Sequence, residues 1–304
     1  MTNAVSSITV TYNPDLDLLS RQIGSLAHQV SHLIIIDNAS ANIDAIELLV
    51  INFVNQGFSI QLKKLDENKG LGFGQNRGIE LAKESNSSHI IILDQDSIPS
   101  PEFITKMLLS EKVLLSKELP VGAIGPVYFN EVSGEIYPIT KYYGPFIERI
   151  KPKHEPVEAT FLIASGCFIR MSVLEDVGLM NEDLFIDYVD VEWCFRAKSK
   201  GYLVYADPEI VMSHTIGDNR VSILGRTISV HSPIRRYYLY RNSIFMVKNK
   251  SIDFGYKLRE VTFNILRLSI FLILSKEKKK YFKYSMKGFS DGFKGVVGKC
   301  PYTF

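Results

Sequence analysis

The chain has 304 residues, 46% hydrophobic and 22% charged, which suits one large packed domain with an appendage and excludes a disordered chain. Its three cysteines, an odd number without metal-ligand spacing, exclude a disulfide framework and point to a reducing compartment. The net charge of +2 conceals an asymmetry: residues 1–230 carry 19 Lys and Arg against 29 Asp and Glu, a balance of −10, and residues 231–304 carry 16 against 4, a balance of +12.

The amino terminus enters a β-rich run at 7–11 with no basic-then-apolar leader, which predicts a cytoplasmic chain. Residues 16–29 read as a helix with Leu18, Leu19, Ile23 and Leu26 on its apolar face. Residues 33–36 form a strand whose unbroken apolar run calls for burial on both faces. A helix over 46–55, a strand over 59–65, a helix over 74–85 and a short strand at 89–93 continue the alternation. This order predicts a mainly parallel α/β sheet with ligands at the carboxyl ends of its strands.

Polar residues occupy those ends. The first strand runs into Tyr12 and Asn13, the second into Asp37 and Asn38, and the fourth into Asp94-Gln95-Asp96. Asp37 either accepts a hydrogen bond from a base or ribose or caps the Asn38-Ala39-Ser40 turn. Between Asn68 and Gly78 lie four glycines ahead of a helix, where close backbone approach and free amides suit phosphate oxygens, although such turns are also structural. Asp94 and Asp96, two carboxylates one residue apart after an apolar strand, suit a divalent cation that bridges a diphosphate. Mg²⁺ or Mn²⁺ matches carboxylate ligands; a solvated turn before Pro99 is the competing explanation. Near residue 190, Asp187, Asp190 and Glu192 stand among aromatics at a helix start. They either complement the helix dipole or include a general base in an apolar setting. His214 is a candidate metal ligand or a structural histidine.

In this order, Val10-Thr11-Tyr12-Asn13, Ile36-Asp37-Asn38, the glycine-rich segment, Asp94-Gln95-Asp96, Ala164-Ser165-Gly166-Cys167 and Asp190-Val191-Glu192-Trp193 with Arg196 resemble the family 2 inverting glycosyltransferases of GT-A fold, over roughly residues 6–250. The run from Ser232 to Tyr238 with Arg241-Asn242 is similar to the tail of bacterial rhamnosyltransferases of O-antigen and surface-polysaccharide assembly. The resemblance implies a glycosyltransferase domain over 1–250 and a helical extension over 251–304. It implies a nucleotide-sugar donor, dTDP-rhamnose or alternatively a UDP-sugar, and a glycan or polyprenyl-linked acceptor. Donor contacts would fall to Tyr12, Asn13, Asp37, Asn68, Gly74, Arg77, Asp94 and Gly166, and Mg²⁺ or Mn²⁺ to Asp96 and His214. Asp190 matches the family's catalytic base. Val189 stands where relatives carry a glutamate, so Asp187 and Glu192 are the alternatives.

Residues 261–274 are apolar but number fourteen, with Asn264 and Arg267 among them. About twenty are needed to span a bilayer. Lysines and aromatics then interleave between Lys276 and Tyr284, a pattern suited to a helix lying on anionic lipid. The alternative is an apolar run packed on the domain with solvated lysines. No nucleic-acid-binding module is recognisable. The expected setting is the inner face of the cell membrane.

Overall fold

The computed structural model describes residues 4–129, 134, 136–213, 220–223, 226–229, 232–274 and 277–304. Strands and helices alternate at first: β1 (Val5–Thr11), α1 (Leu16–Leu26), β2 (His32–Asp37), α2 (Ile43–Asn55), β3 (Ile60–Lys64), α3 (Leu71–Glu84) and β4 (His89–Leu93). α4 (Phe103–Ser116) leads to β5 (Val121–Phe129), the hairpin β6 (Ile139–Tyr143) and β7 (Phe146–Ile150), then β8 (Val157–Ala159) and β9 (Cys167–Arg170). There follow α5 (Met171–Val177), α6 (Val189–Ser199), β10 (Leu203–Ser213) and the hairpin β11 (Arg220–Ile223) and β12 (Arg226–Ser229). The helices α7 (Pro233–Lys248), α8 (Phe254–Leu274) and α9 (Lys278–Lys294) complete the order.

The main sheet runs β3-β2-β1-β4-β9-β5-β10-β8. β1 to β4 are mutually parallel, and β5 is parallel to β10. β9 lies antiparallel to both β4 and β5, so those six strands all point the same way. The mainly parallel α/β architecture expected from the sequence is therefore present. β2 shows how its apolar run is used: Ile34 and Ile36 enter the core that holds Ile79 of α3 and Trp193 of α6, and Leu33 and Ile35 enter the opposite core with Leu19, Ile46 and Phe103. Thr11 of β1 pairs with Asp37 of β2, and Thr9 with Leu93 of β4, which brings the polar ends of these strands level.

α3 begins at Leu71, three residues before the expected start, so the glycine-rich segment is mostly helix. Its glycines have a packing reason. A Cβ on Gly74 would lie 2.7 Å from Val10 Cγ1, and one on Gly78 would lie 2.3 Å from Ile8 Cγ2. They let α3 press directly on β1.

The basic end folds back onto the molecule. α9 lies against α7 so closely that a Cβ on Gly288 would meet the Tyr237 carbonyl oxygen at 2.4 Å. Tyr237 Oη also donates to Asp291 Oδ2 at 2.8 Å. α8 has two faces: Tyr256, Glu260 and Asn264 are buried, while Phe254, Leu258, Val261 and Ile265 are exposed. Among the described residues, no helix is long and apolar enough to cross a membrane.

Candidate active site

The floor of the site is a set of strand ends tied to one another by buried amides and hydroxyls. Gln22 of α1 accepts from Thr9 Oγ1 at 2.9 Å and donates to the carbonyls of Asp94 and Ser97, which pins the turn after β4. Gln95 Oε1 accepts from the Tyr12 amide at 2.8 Å and joins that turn to the end of β1. Asp37 is buried; it accepts from Thr11 Oγ1 and from the Ser40 amide, each at 2.9 Å. Asn13 Oδ1 accepts from the Ala41 amide at 2.7 Å, and Asn68 Oδ1 accepts from the Gly70 amide at 3.0 Å. Above this floor, the Tyr12 ring is half exposed.

Asp190 reaches the same end of the sheet from α6. It sits in the first turn, where Oδ1 accepts from the Val191 amide at 2.8 Å and Oδ2 accepts from the Ala164 amide at 3.1 Å. The next residue, Ser165, bonds Ser97 through its hydroxyl and accepts from the Asp94 amide at 3.4 Å. One short segment therefore bridges Asp94 and Asp190. The loop before α6 is strained: Phe185, Asp187 and Tyr188 have φ of 63°, 63° and 66°, a region that costs a non-glycine residue about 1 kcal/mol or more. What holds it is α7. Asn242 Nδ2 donates to the carbonyls of Leu184, Ile186 and Asp187 at 2.9, 2.7 and 3.1 Å. Arg241 Nη2 donates to those of Asp183 and Leu184 at 3.2 and 2.9 Å. Both side chains are fully buried. From α8, Glu260 accepts from Tyr188 Oη and pairs with Arg267 at 3.2 Å.

The three acids near residue 190 are not equivalent. Asp187 is paired with Arg235, Nη2 to Oδ1 2.8 Å and Nε to Oδ1 3.1 Å. Glu192 is paired with Arg196 at 3.0 Å and accepts from Asn249 Nδ2 at 3.3 Å. Among the described residues, Asp190 has only backbone donors. Burial pushes its carboxyl up to about 6, opposed by the amides of Val191 and Ala164 and assisted by the charge of Asp187. Asp94 is pushed up to about 7, first by burial and then by Asp96 and Asp190, with Arg235 offsetting part of the rise.

A carboxylate held that far above its ordinary range weakens the fold when ionised. The folded value lies above the unfolded one, so the penalty is present above about pH 7 and is relieved as Asp94 takes up a proton below it. Asp94→Asn is accordingly expected to raise the stability of the metal-free protein near pH 8, on the order of 1–3 kcal/mol. The gain should shrink toward pH 5. Thermal melts across that range check this, and a pH-independent offset would contradict it.

The sequence profile of Glycosyl transferase family 2 matches residues 6–178. End to end, the chain is 33% identical over 311 residues to the dTDP-rhamnosyl transferase RfbF of Shigella flexneri, covering 100% of both proteins. The chain belongs to glycosyl transferase family 2. It is also 23% identical to the low-salt glycan biosynthesis hexosyltransferase Agl10 of Haloferax volcanii, over 98% of this chain and 94% of that protein. Solved structures share the fold at low identity. GalNAc-T7 with UDP, GalNAc and Mn²⁺ superposes with a TM-score of 0.59 at 14% identity, over 96% of this chain and 56% of that one. A 1–349 portion of S. aureus TarS with UDP-GlcNAc gives 0.58 at 14%, over 96% and 81%. The mannosyltransferase PcManGT of Pyrobaculum calidifontis with GDP-Man and Mn²⁺ gives 0.57 at 12%, over 95% and 86%.

In this glycosyltransferase, Tyr12, Asn13, Asp37, Asp94, Asp96 and Asp190 meet at the carboxyl end of the sheet, with Asn68 in the turn before α3. Three of the expected donor residues already have partners within the chain. The Gly74 amide donates to the Gly70 carbonyl at 3.2 Å as part of the helix, so it is not available to a phosphate. The Gly166 amide is likewise committed, to the Ile92 carbonyl at 2.7 Å; the glycine is needed because its φ is 79° and a Cβ would lie 2.8 Å from Pro126 Cδ. Arg77 pairs with Glu80 at 2.8 Å and stacks on Phe73 on the flank of α3, while its Nε is buried without a hydrogen-bond partner. His214 lies outside the described residues. Among the described residues, no three His, Cys, Asp or Glu side chains cluster as a metal site. The roles of Gln22, Gln95, Asn242 and Glu260 were not anticipated; only Asn242 carried a signal, as part of the Arg241-Asn242 pair.

Proposed function

We propose that this glycosyltransferase moves L-rhamnose from dTDP-rhamnose to a hydroxyl of a glycan or polyprenyl-linked acceptor in surface-polysaccharide synthesis. The donor assignment rests on the end-to-end likeness to a dTDP-rhamnosyl transferase. The mechanism rests on one observation: of three neighbouring acids, Asp187 and Glu192 carry arginine partners, and Asp190 is left to act as a base. Asp190 takes the proton of the acceptor hydroxyl as that oxygen attacks the anomeric carbon. The bond from that carbon to the diphosphate breaks in the same displacement, its electron pair leaves with dTDP, and the configuration inverts. Tyr12 offers an exposed ring face for the nucleobase, and Asn13, Asp37 and Asn68 border the nucleoside.

The carboxylates of Asp94 and Asp96 fit a hard divalent cation, because their mutual repulsion helps to hold Asp94 near 7 with only partial relief from Arg235. Asp96, exposed at the turn, and His214 would hold Mg²⁺ or Mn²⁺, and Asp94 would orient the donor. Such a cation would supply positive charge for a departing diphosphate, in place of a general acid. The exposed stripe on α8 lies in the same tail as a second mixed surface on α9, where Phe282, Met286 and Phe293 stand beside Lys279, Lys283, Lys287 and Lys294. Aromatics and lysines so arranged suit an anionic membrane at the cytoplasmic face.

One assay tests these parts separately. The protein is given dTDP-rhamnose, UDP-glucose or UDP-GlcNAc, with a polyprenyl-diphosphate-linked sugar in phosphatidylglycerol vesicles, in Mn²⁺ or in EDTA. Transfer from dTDP-rhamnose, lost in EDTA, and co-sedimentation with these vesicles but not with phosphatidylcholine vesicles are expected. Preference for a UDP-sugar sinks the donor assignment. Undiminished transfer in EDTA sinks the metal, and absence from the pellet sinks the membrane surface.

A further inference from the structure

Behind Asp190 lies a small cavity bordered by Ile92, Leu162, Cys167, Met180 and Trp193, into which the side chain of Gln75 also faces. Gln75 is 1% exposed, and its Oε1 is buried without a hydrogen-bond partner. The contrast with the adjacent residue is informative. Asn76 is equally buried but fully engaged: it donates to the Met180 carbonyl at 3.0 Å and to Glu182 at 2.7 Å, and accepts from the Met180 amide at 2.9 Å. Packing alone gives no reason for an amide at 75, since the same wall accepts leucine, isoleucine and methionine.

We propose that Gln75 is a positioning residue for Asp190, acting through one buried water held in the cavity they share. The space suits about one water molecule, and such a site needs at least two polar partners. The Gln75 carbonyl and the Asp190 carboxylate supply them. Each Asp190 oxygen already accepts one backbone amide and retains a lone pair. The water donates one hydrogen to Gln75 and the other to Asp190, which satisfies the amide and favours the ionised carboxylate on the side away from substrate. The base is thereby kept oriented and ready to accept a proton in a mostly apolar pocket.

The titratable groups that face Asp190 are Asp94 at the end of β4, Asp187 in its own loop, Cys167 on β9, Cys194 on α6, Tyr128 on β5 and Tyr256 on α8. Burial raises both thiols and both phenols, so they stay neutral through the working range. Asp187 is held by Arg235. Asp94 is the neighbour whose titration overlaps, and the test must separate it.

The inference rests on Asp190 as the base, and the experiment keeps the two apart. Infrared difference spectra against Asp190→Asn isolate the Asp190 carboxyl, which is titrated in the wild type, Gln75→Leu and Gln75→Met, alongside kcat/KM over the same pH range. Loss of the water's hydrogen bond raises the carboxyl by about half to one pH unit, so kcat/KM falls roughly three- to tenfold on the acid side and less at alkaline pH. Gln75→Met, flexible and unbranched, gives the reading if the leucine variant does not fold. Coincident carboxyl titrations in the variants and the wild type overturn the proposal. If Asp190→Asn transfers sugar normally, the base reading fails, and the infrared titration still decides whether Gln75 governs that carboxyl.

Discussion

Asp190→Asn is expected to lower turnover by roughly 10²–10⁴-fold, the usual contribution of a positioned general base, with the fold unchanged. Asparagine keeps the shape, but its single oxygen can accept from only one of the amides of Val191 and Ala164, and it takes no proton from a hydroxyl. As the proposed base, Asp190 must be ionised to act. Wild-type activity should therefore fall as the pH drops through about 6, and that limb should vanish with the residue. Asp94 titrates nearby and feels the same field, so the measured limb belongs to the pair rather than to one carboxyl. Steady-state rates from pH 5 to 9 on both proteins are the check. Normal turnover by the asparagine variant would return the search to Asp187 and Glu192, neither of which could serve without losing its arginine.

Asn242→Ala should be the most damaging change outside the reacting groups, at about 2–4 kcal/mol of stability and with a fall in kcat. One side-chain amide is the shared donor for three carbonyls of the strained 184–187 stretch; without it the Leu184 carbonyl keeps Arg241, but those of Ile186 and Asp187 lose their side-chain donor. Arg241 would lose a partner as well, since its Nε donates to Asn242 Oδ1 at 3.0 Å. Asn242→Asp separates packing from hydrogen bonding: it has nearly the same volume but turns an acceptor toward three acceptors. Chemical denaturation and kcat should place it no better than the alanine variant. Wild-type behaviour from Asn242→Asp would mean that volume, not donation, holds the loop.

The framework of the fold was legible because its signals are local. Four isoleucines and leucines in a row at 33–36 demanded a strand covered on both faces, and the strand-end polar pairs at 12–13, 37–38 and 94–96 do come level in the sheet. The inserted antiparallel β9 was not legible, since Cys167–Arg170 is four residues long and its neighbours are distant in sequence. The glycines from 70 to 78 suggested phosphate binding, but the same residue serves wherever a backbone must approach a wall, and here the walls are Phe185 for Gly70, Asn181 for Gly72, Val10 for Gly74 and Ile8 for Gly78. Asp190, Asp187 and Glu192 looked alike in sequence. Partners 48 and 4 residues away tell them apart, and only the nearer, Arg196, could be read from helical spacing.

The Arg241 clamp also reaches the last residues of the chain: its Nη1 donates to the Gly298 carbonyl, while the Gly298 amide donates to the Asp183 carbonyl at 3.2 Å. The stretch that presents Asp190 is thus stapled to a segment more than a hundred positions downstream. During synthesis, the sheet can form well before that segment leaves the ribosome, but the stretch that presents Asp190 cannot be locked until it has. Changes in the segment around Gly298 act, by the same connection, on the stretch that presents Asp190.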